Sequence, residues 1–214
     1  MFTGFRDVDW FFQNGLDGKY IVLAGYPKSG KTAFALSMAI NIALDGYKVV
    51  YLSANGEADA ASLRLNNIMF KEYRRQKARI KFYNYDDFKK IGSAGEPAVF
   101  IDGIKDLSLF LKQETESPSL FIPASLTVLV SEIQIPACRF SKIPIPADLS
   151  AEITSSSDVV LFLYDGRLII AKNDAGPVGC VELSYVERYI FKEYPEFGNC
   201  YIEKYGIFKD KNRI

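Results

Sequence analysis

The chain has 214 residues, 49% of them apolar, enough for one well-buried domain and too few for two comfortable ones. Its 26 basic and 26 acidic residues cancel, so no global field draws in a polyanion and any DNA contact must be local. With no histidine, and with three cysteines (Cys138, Cys180, Cys200) at no metal-ligand spacing, a zinc site and a histidine base are excluded, and reduced thiols in a cytosolic interior are expected.

The opening Met1-Phe-Thr-Gly-Phe-Arg-Asp7 lacks a basic stretch followed by a long apolar core. No apolar run anywhere approaches the ~20 residues that cross a bilayer, and a soluble, cytoplasmic protein without membrane contact is expected. The first apolar run, residues 20–24, reads as a strand, and residues 31–44 read as an amphipathic helix closed by Asp45-Gly46. Between them lies Gly25-Tyr26-Pro27-Lys28-Ser29-Gly30-Lys31-Thr32, a complete G-x-x-x-x-G-K-[ST] phosphate loop in the strand-then-helix setting that the motif requires. The glycines let backbone N–H groups turn inward around a phosphate, and the helix offers its positive end to the same anion. All eight loop residues are therefore candidate nucleotide contacts. Lys31 would reach the β/γ-phosphates and the Thr32 hydroxyl would ligate Mg²⁺, with ATP as the implied ligand.

Further apolar, β-branched runs follow at 48–53, 80–83, 98–102, 126–131, 159–164 and 168–171, with helix-like stretches at 57–77 and 103–116. Strands alternating with helices, and too continuously apolar for one-sided exposure, predict an α/β fold around a mostly parallel sheet covered on both faces. The run Val99-Phe-Ile-Asp102 ends in the acid that a phosphate loop needs, and Asp102 is the candidate that holds Mg²⁺ from the far side through water. Pro97 precedes that strand, Pro118 and Pro123 mark a mid-chain connection, and the proline-rich segment 136–146 reads as a surface loop after a strand end, where ligand sites of parallel sheets collect.

The two ends carry more than generic motifs. Thr3-Gly-Phe-x-Asp-x-Asp9, then Gly15-Leu, then 20–36 with the phosphate loop, resemble the opening of the RecA-type motor domain of DnaB-family replicative helicases. Ser157-Asp-Val-Val-Leu-Phe-Leu-Tyr164 and the segment 168–183, with Lys172, Gly176-Pro177 and Gly179, resemble its closing strands in the same order. The resemblance covers roughly residues 3 to 190. It implies a RecA-like P-loop NTPase domain over 1–190, with ATP and Mg²⁺ as cofactors, DNA replication or recombination as the setting, and single-stranded DNA, a replication protein or further copies of the chain as partners. RadA/Sms and KaiC share the sheet and first motifs and stand as a further alternative.

Several positions depart from that family. Its water-activating glutamate falls at Asn55, an amide that cannot take a proton, which leaves Glu57 as a substitute base. Its phosphate-sensing glutamine falls at Glu132, the second candidate base. The Lys-x-Arg-x-Gly finger that a neighbouring subunit inserts reads Lys172-Asn-Asp174-Ala-Gly176, with an acid in the arginine's place; in a shifted alignment Arg167 or Arg188 would supply the cation. The candidate DNA loops, 103–125 and 148–157, lack a stack of basic and aromatic residues, and the basic run 71–81 reads as a solvated helix end. The chain opens directly on the motor domain, which leaves ring formation in doubt. Residues 191–214 form an aromatic-rich extension expected to pack on the same domain, the alternative being a docking tail. The combined expectation is an ATP-binding, DnaB-like protein with weak or impaired hydrolysis, the alternative being a catalytically degenerate module that regulates or docks onto a replication partner.

Overall fold

The structure, a computed structural model, describes residues 1–56, 58, 61, 79–87, 98–105, 124–133, 143–187, 190–193 and 201–202. The strands are β1 (Lys19–Gly25), β2 (Val49–Ser53), β3 (Ile80–Asn84), β4 (Ala98–Ile104), β5 (Leu126–Glu132), β6 (Val159–Tyr164), β7 (Arg167–Asn173), β8 (Gly179–Glu187), β9 (Ile190–Glu193) and β10 (Tyr201–Ile202). They assemble in the order β10-β8-β7-β6-β1-β5-β4-β2-β3, with β9 paired to β8. From β6 to β3 every neighbouring pair is parallel. β7, β8, β9 and β10 then add antiparallel strands at the β6 side. The predicted α/β class with a mostly parallel sheet is what forms.

Alternation along each strand sorts side chains onto two faces. Ile21 and Leu23 join Val49, Tyr51, Ala98, Phe100, Val128 and Val130 in one buried cluster with the helix α2 (Lys31–Leu44). Val22 and Ala24 turn the other way, to Val50, Leu52, Val99, Ile101, Val160 and Phe162, where Ile153 of the short helix α3 (Ala151–Ser156) covers them. Burial on both faces explains why these strands read as unbroken apolar runs.

The opening segment is tied across α2. Asp9, the last residue of α1 (Arg6–Asp9), accepts hydrogen bonds from Thr3 N (2.7 Å), Thr3 Oγ1 (2.6 Å) and Gly4 N (3.0 Å). Asn41 Nδ2 donates to Thr3 O at 3.0 Å, and Phe5 stacks on Phe34 with ring centroids 5.0 Å apart. The same segment reaches the β7–β8 turn, where the buried Asn173 donates through Nδ2 to Phe11 O (2.9 Å) and Pro177 O (3.1 Å). The Thr-Gly-Phe…Asp and Asn…Gly-Pro motifs are thus halves of one brace.

Some sequence expectations shift. The stretch 103–116 does not begin as helix, because Gly103 and Ile104 extend β4 through a register shift, made possible by the left-handed backbone of Gly103 (φ +84°). Residues 151–156, read as part of a loop, form α3, whose Ser150 side chain accepts from Ile153 N. Most of the expected helix at 57–77, Glu57 itself, most of the basic run 71–81, Pro97, Pro118, Pro123, Pro136, Cys138, Arg188, Cys200 and the side chains of 191–214 lie outside the described residues. Cys180 is buried. No helix among the described residues is long and apolar enough to cross a membrane.

Candidate functional site

The order of strands reverses around β1: the chain leaves it for β2, and later lays β5 on one flank and β6 on the other. In such sheets the crevice at the strand carboxyl ends is where ligands collect. The loop 25–30 lies there, leading into the N-terminus of α2.

Gly25 is needed for space. A Cβ there would lie 2.7 Å from Leu163 O, 2.9 Å from Ser29 Oγ and 3.4 Å from Lys31 Cδ. The loop closes with Lys28 (φ 63°) and Gly30 (φ 97°) in left-handed conformations, so successive N–H groups can form a concavity. Ser29 Oγ is buried and has no hydrogen-bond partner among the described residues. A buried hydroxyl left so calls for an acceptor, and a phosphate oxygen supplies one. Lys31 is 7% exposed, and its Nζ donates to Tyr26 O at 2.6 Å, across the concavity's own backbone. Burial pushes its pKa below the ordinary 10.5, against an opposing pull from the Glu132 and Asp102 carboxylates.

Asp102 stands on β4 in register with Ser53 of β2. It is buried, with Oδ1 accepting from Gly103 N (2.7 Å) and Oδ2 from the Tyr51 hydroxyl (2.8 Å). A pocket joins it to the phosphate loop, lined by Thr32, Tyr51, Ser53, Asn55, Asp102 and Gly103. The Thr32 hydroxyl and the Asp102 carboxylate, facing one pocket with no nitrogen or sulfur ligand, are the oxygen set that suits Mg²⁺. No cluster of His, Cys, Asp or Glu among the described residues could hold a metal unaided. That fits an ion that comes with its phosphates.

Asn55 lines the same pocket. Its Oδ1 accepts from Ser53 Oγ at 2.6 Å, and its amide lies against Gly103, where a Cβ would meet Asn55 Cγ at 2.9 Å. Glu132 is exposed at the end of β5, paired in register with Gly25, and does not line the Thr32–Asp102 pocket. Lys172 is engaged within its own chain: Nζ donates to Thr154 O (2.8 Å) and Ser157 O at the carboxyl end of α3, and lies 3.2 Å from Asp174 Oδ2. Arg167 Nε is 3.7 Å from Glu182 Oε1 on the neighbouring strand β8.

Sequence reading missed Tyr51 and Ser53. The signal was present, since period two puts both on one face of β2 with the strand's end pointing to Asn55. It also missed Tyr164, whose ring meets Tyr26 of the loop edge to face at 5.8 Å. The tyrosine hydroxyl of Tyr26 is pushed up in pKa by burial and by the nearby Asp148 and Tyr164.

Residues 2–105 match the family described as the AAA domain. Over 92% of its length the chain is 25% identical to the replicative DNA helicase DnaB of Geobacillus stearothermophilus, and over 92% it is 24% identical to the replicative DNA helicase DnaC of Bacillus subtilis. The chain is similar to DnaB-type replicative helicases over most of its length. It spans about half the length of these curated relatives, 56% of each. Solved structures agree on the RecA-like fold. A DnaB-like replicative helicase studied with its primase interactions superposes with a TM-score of 0.69 at 18% identity, covering 90% of this chain and 61% of that one. A second solved structure, of an ATPase domain, gives 0.68 at 19% identity over 90% of both chains, and the RadB recombinase 0.62 at 15% over 90% of this chain and 98% of that one. In this RecA-like frame, β1, α2 and β4 carry the loop and the acid together.

Proposed function

We propose that this DnaB-like domain binds ATP with Mg²⁺ at residues 25–32 and Asp102, hydrolyses it slowly or not at all, and serves DNA replication or recombination by binding a replication partner or single-stranded DNA. The observation that carries the reading is Asn55 in the Thr32–Asp102 pocket, fastened to Ser53 where a water-activating carboxylate would be wanted. An amide accepts a hydrogen bond but takes no proton.

In this reading Ser29, Lys31 and the backbone N–H groups of the loop hold the phosphates, and Thr32 with Asp102 would hold the ion. Bound there, Mg²⁺ neutralises charge on the β- and γ-phosphates. Lys31 leaves Tyr26 O for a phosphate oxygen, and the loop's concavity excludes bulk water around it. Among the described residues, Asp102 is the only carboxylate that lines the pocket, and with it given to the ion none is left to deprotonate an attacking water. Glu132 lies outside the pocket, and its charge opposes a γ-phosphate that approaches Lys31. Lys172, the finger lysine of the resemblance, is spent on α3 and Asp174.

Calorimetry with ATP and Mg²⁺, run beside phosphate release with and without single-stranded DNA, tests this. Binding that Lys31→Ala abolishes, with turnover no higher than in that variant, is expected. DNA-stimulated turnover in the native chain would overturn the impaired-hydrolysis reading, and absence of binding would overturn the nucleotide site. Asn55→Glu should raise basal turnover by about 10²-fold, the lower end of what a positioned base supplies.

A further inference from the structure

Asp102 is buried at the end of β4, and both its oxygens are engaged by groups that no phosphate-loop motif specifies. The Gly103 N–H on Oδ1 is local, one residue away. The hydroxyl of Tyr51 on Oδ2 comes from another strand, 51 residues distant, and that hydrogen bond is buried. Tyr51 is held on both sides: it is 1% exposed, stacked on Phe100 (5.8 Å, 11° between planes) and tilted on Phe82 (5.5 Å, 41°). A ring so packed carries its hydroxyl at a fixed point, and Tyr51 lines the pocket together with Thr32 and Asp102.

We propose that Tyr51 is a positioning residue for Mg²⁺: its hydroxyl fixes the rotation of the Asp102 carboxylate so that the lone pairs left over face the Thr32 side of the pocket. The inference rests on the Mg²⁺–nucleotide reading above. A carboxylate that accepts one N–H and one O–H at set positions cannot swing freely about its Cβ–Cγ bond. Without the Tyr51 hydroxyl, only the Gly103 N–H would hold the carboxylate, and orientations away from Thr32 would open to it. Hydrogen-bonding partners that orient acidic groups near a metal are worth roughly 10–100-fold in metal affinity.

The test is the Mg²⁺ concentration that half-saturates nucleotide binding, read with a fluorescent ATP analogue on the full chain, for native protein and Tyr51→Phe. The substitution keeps the ring stack and removes one hydroxyl. The expected result is a half-saturating Mg²⁺ raised about tenfold, with binding of the same analogue in EDTA unchanged. In an Asp102→Asn background, Tyr51→Phe should produce no further shift. An unchanged Mg²⁺ curve, or equal losses with Mg²⁺ and in EDTA, overturns the positioning role and leaves the nucleotide site standing. Native chain that binds the analogue only weakly and without regard to Mg²⁺ overturns the parent reading, and the inference with it. If Tyr51→Phe does not fold, Asp102→Asn alone decides: a Mg²⁺ curve identical to native removes the carboxylate, and hence Tyr51, from the ion.

Discussion

Gly25→Ala separates the need for space in the loop from the need for backbone freedom. The added Cβ would meet Leu163 O at 2.7 Å and Ser29 Oγ at 2.9 Å. Leu163 cannot retreat cheaply, because β6 is laddered to β1 with Gly25 opposite Leu163 and to β7 on its other side. The loop must move instead, and overpacking of this kind costs about 1–3 kcal/mol. For a chain of this size, about 2 kcal/mol lowers Tm by about 4–8 °C. The displaced groups are Ser29 and Lys31, whose Cδ lies 3.4 Å from the new atom, so nucleotide affinity should fall by more than tenfold. Gly18→Ala is the control. Its φ of +73° strains an alanine, yet nothing lies within 4 Å of the added carbon, so it should cost about 1–2 kcal/mol of stability and leave nucleotide binding untouched. Thermal melts with and without nucleotide measure both. Equal loss of affinity in the two variants, or native affinity in Gly25→Ala, would refute the steric argument.

Burial lowers the Lys31 pKa, whereas a bound phosphate would raise it again, so nucleotide binding should take up a proton at alkaline pH. The uptake should appear from the lowered value upward, and affinity should weaken as pH rises through it; calorimetry in buffers of different ionisation enthalpy reads this. The same shift means that the charged ammonium costs stability below the lowered value, a cost relieved as pH climbs from there towards 10.5. Lys172→Met should destabilise by about 1–2 kcal/mol through the loss of two charge-assisted hydrogen bonds to carbonyls at the end of α3, whereas Asp174→Ala, removing a partner that is 53% exposed, should stay within about 0.5 kcal/mol. Urea denaturation of both compares them directly.

What could be read from the sequence was what is local or periodic. The α2 helix falls at 31–44 as its punctuation predicts, and each of the seven apolar runs became a strand, because a twice-covered parallel sheet leaves its signature in continuous apolar residues. Asp102 was legible as the end of such a run. The hydroxyl of Tyr51 was not, because its bond to Asp102 joins two strands whose register only the sheet defines. Helix α3 escaped because six residues, Ala-Glu-Ile-Thr-Ser-Ser, offer too few turns for periodicity and several side chains that favour turns. Lys172 read as an outward-reaching finger; that it folds back on α3 depends on a strand and a helix meeting in space.

The position of β1 has a consequence for how the chain is made. β1 (Lys19–Gly25) emerges about a hundred residues or more ahead of both its partners, β5 at Leu126–Glu132 and β6 at Val159–Tyr164. During synthesis it is an apolar strand whose two edges stay open until those distant segments follow, the condition under which nascent chains associate wrongly. Asp158, which accepts from Tyr20 N at 2.7 Å and donates its own N–H to Tyr20 O at 2.9 Å, is the stitch that docks the second partner. Until it arrives, Leu163 is not in place against Gly25, and the ribosome holds a phosphate loop that has been written but not yet shaped.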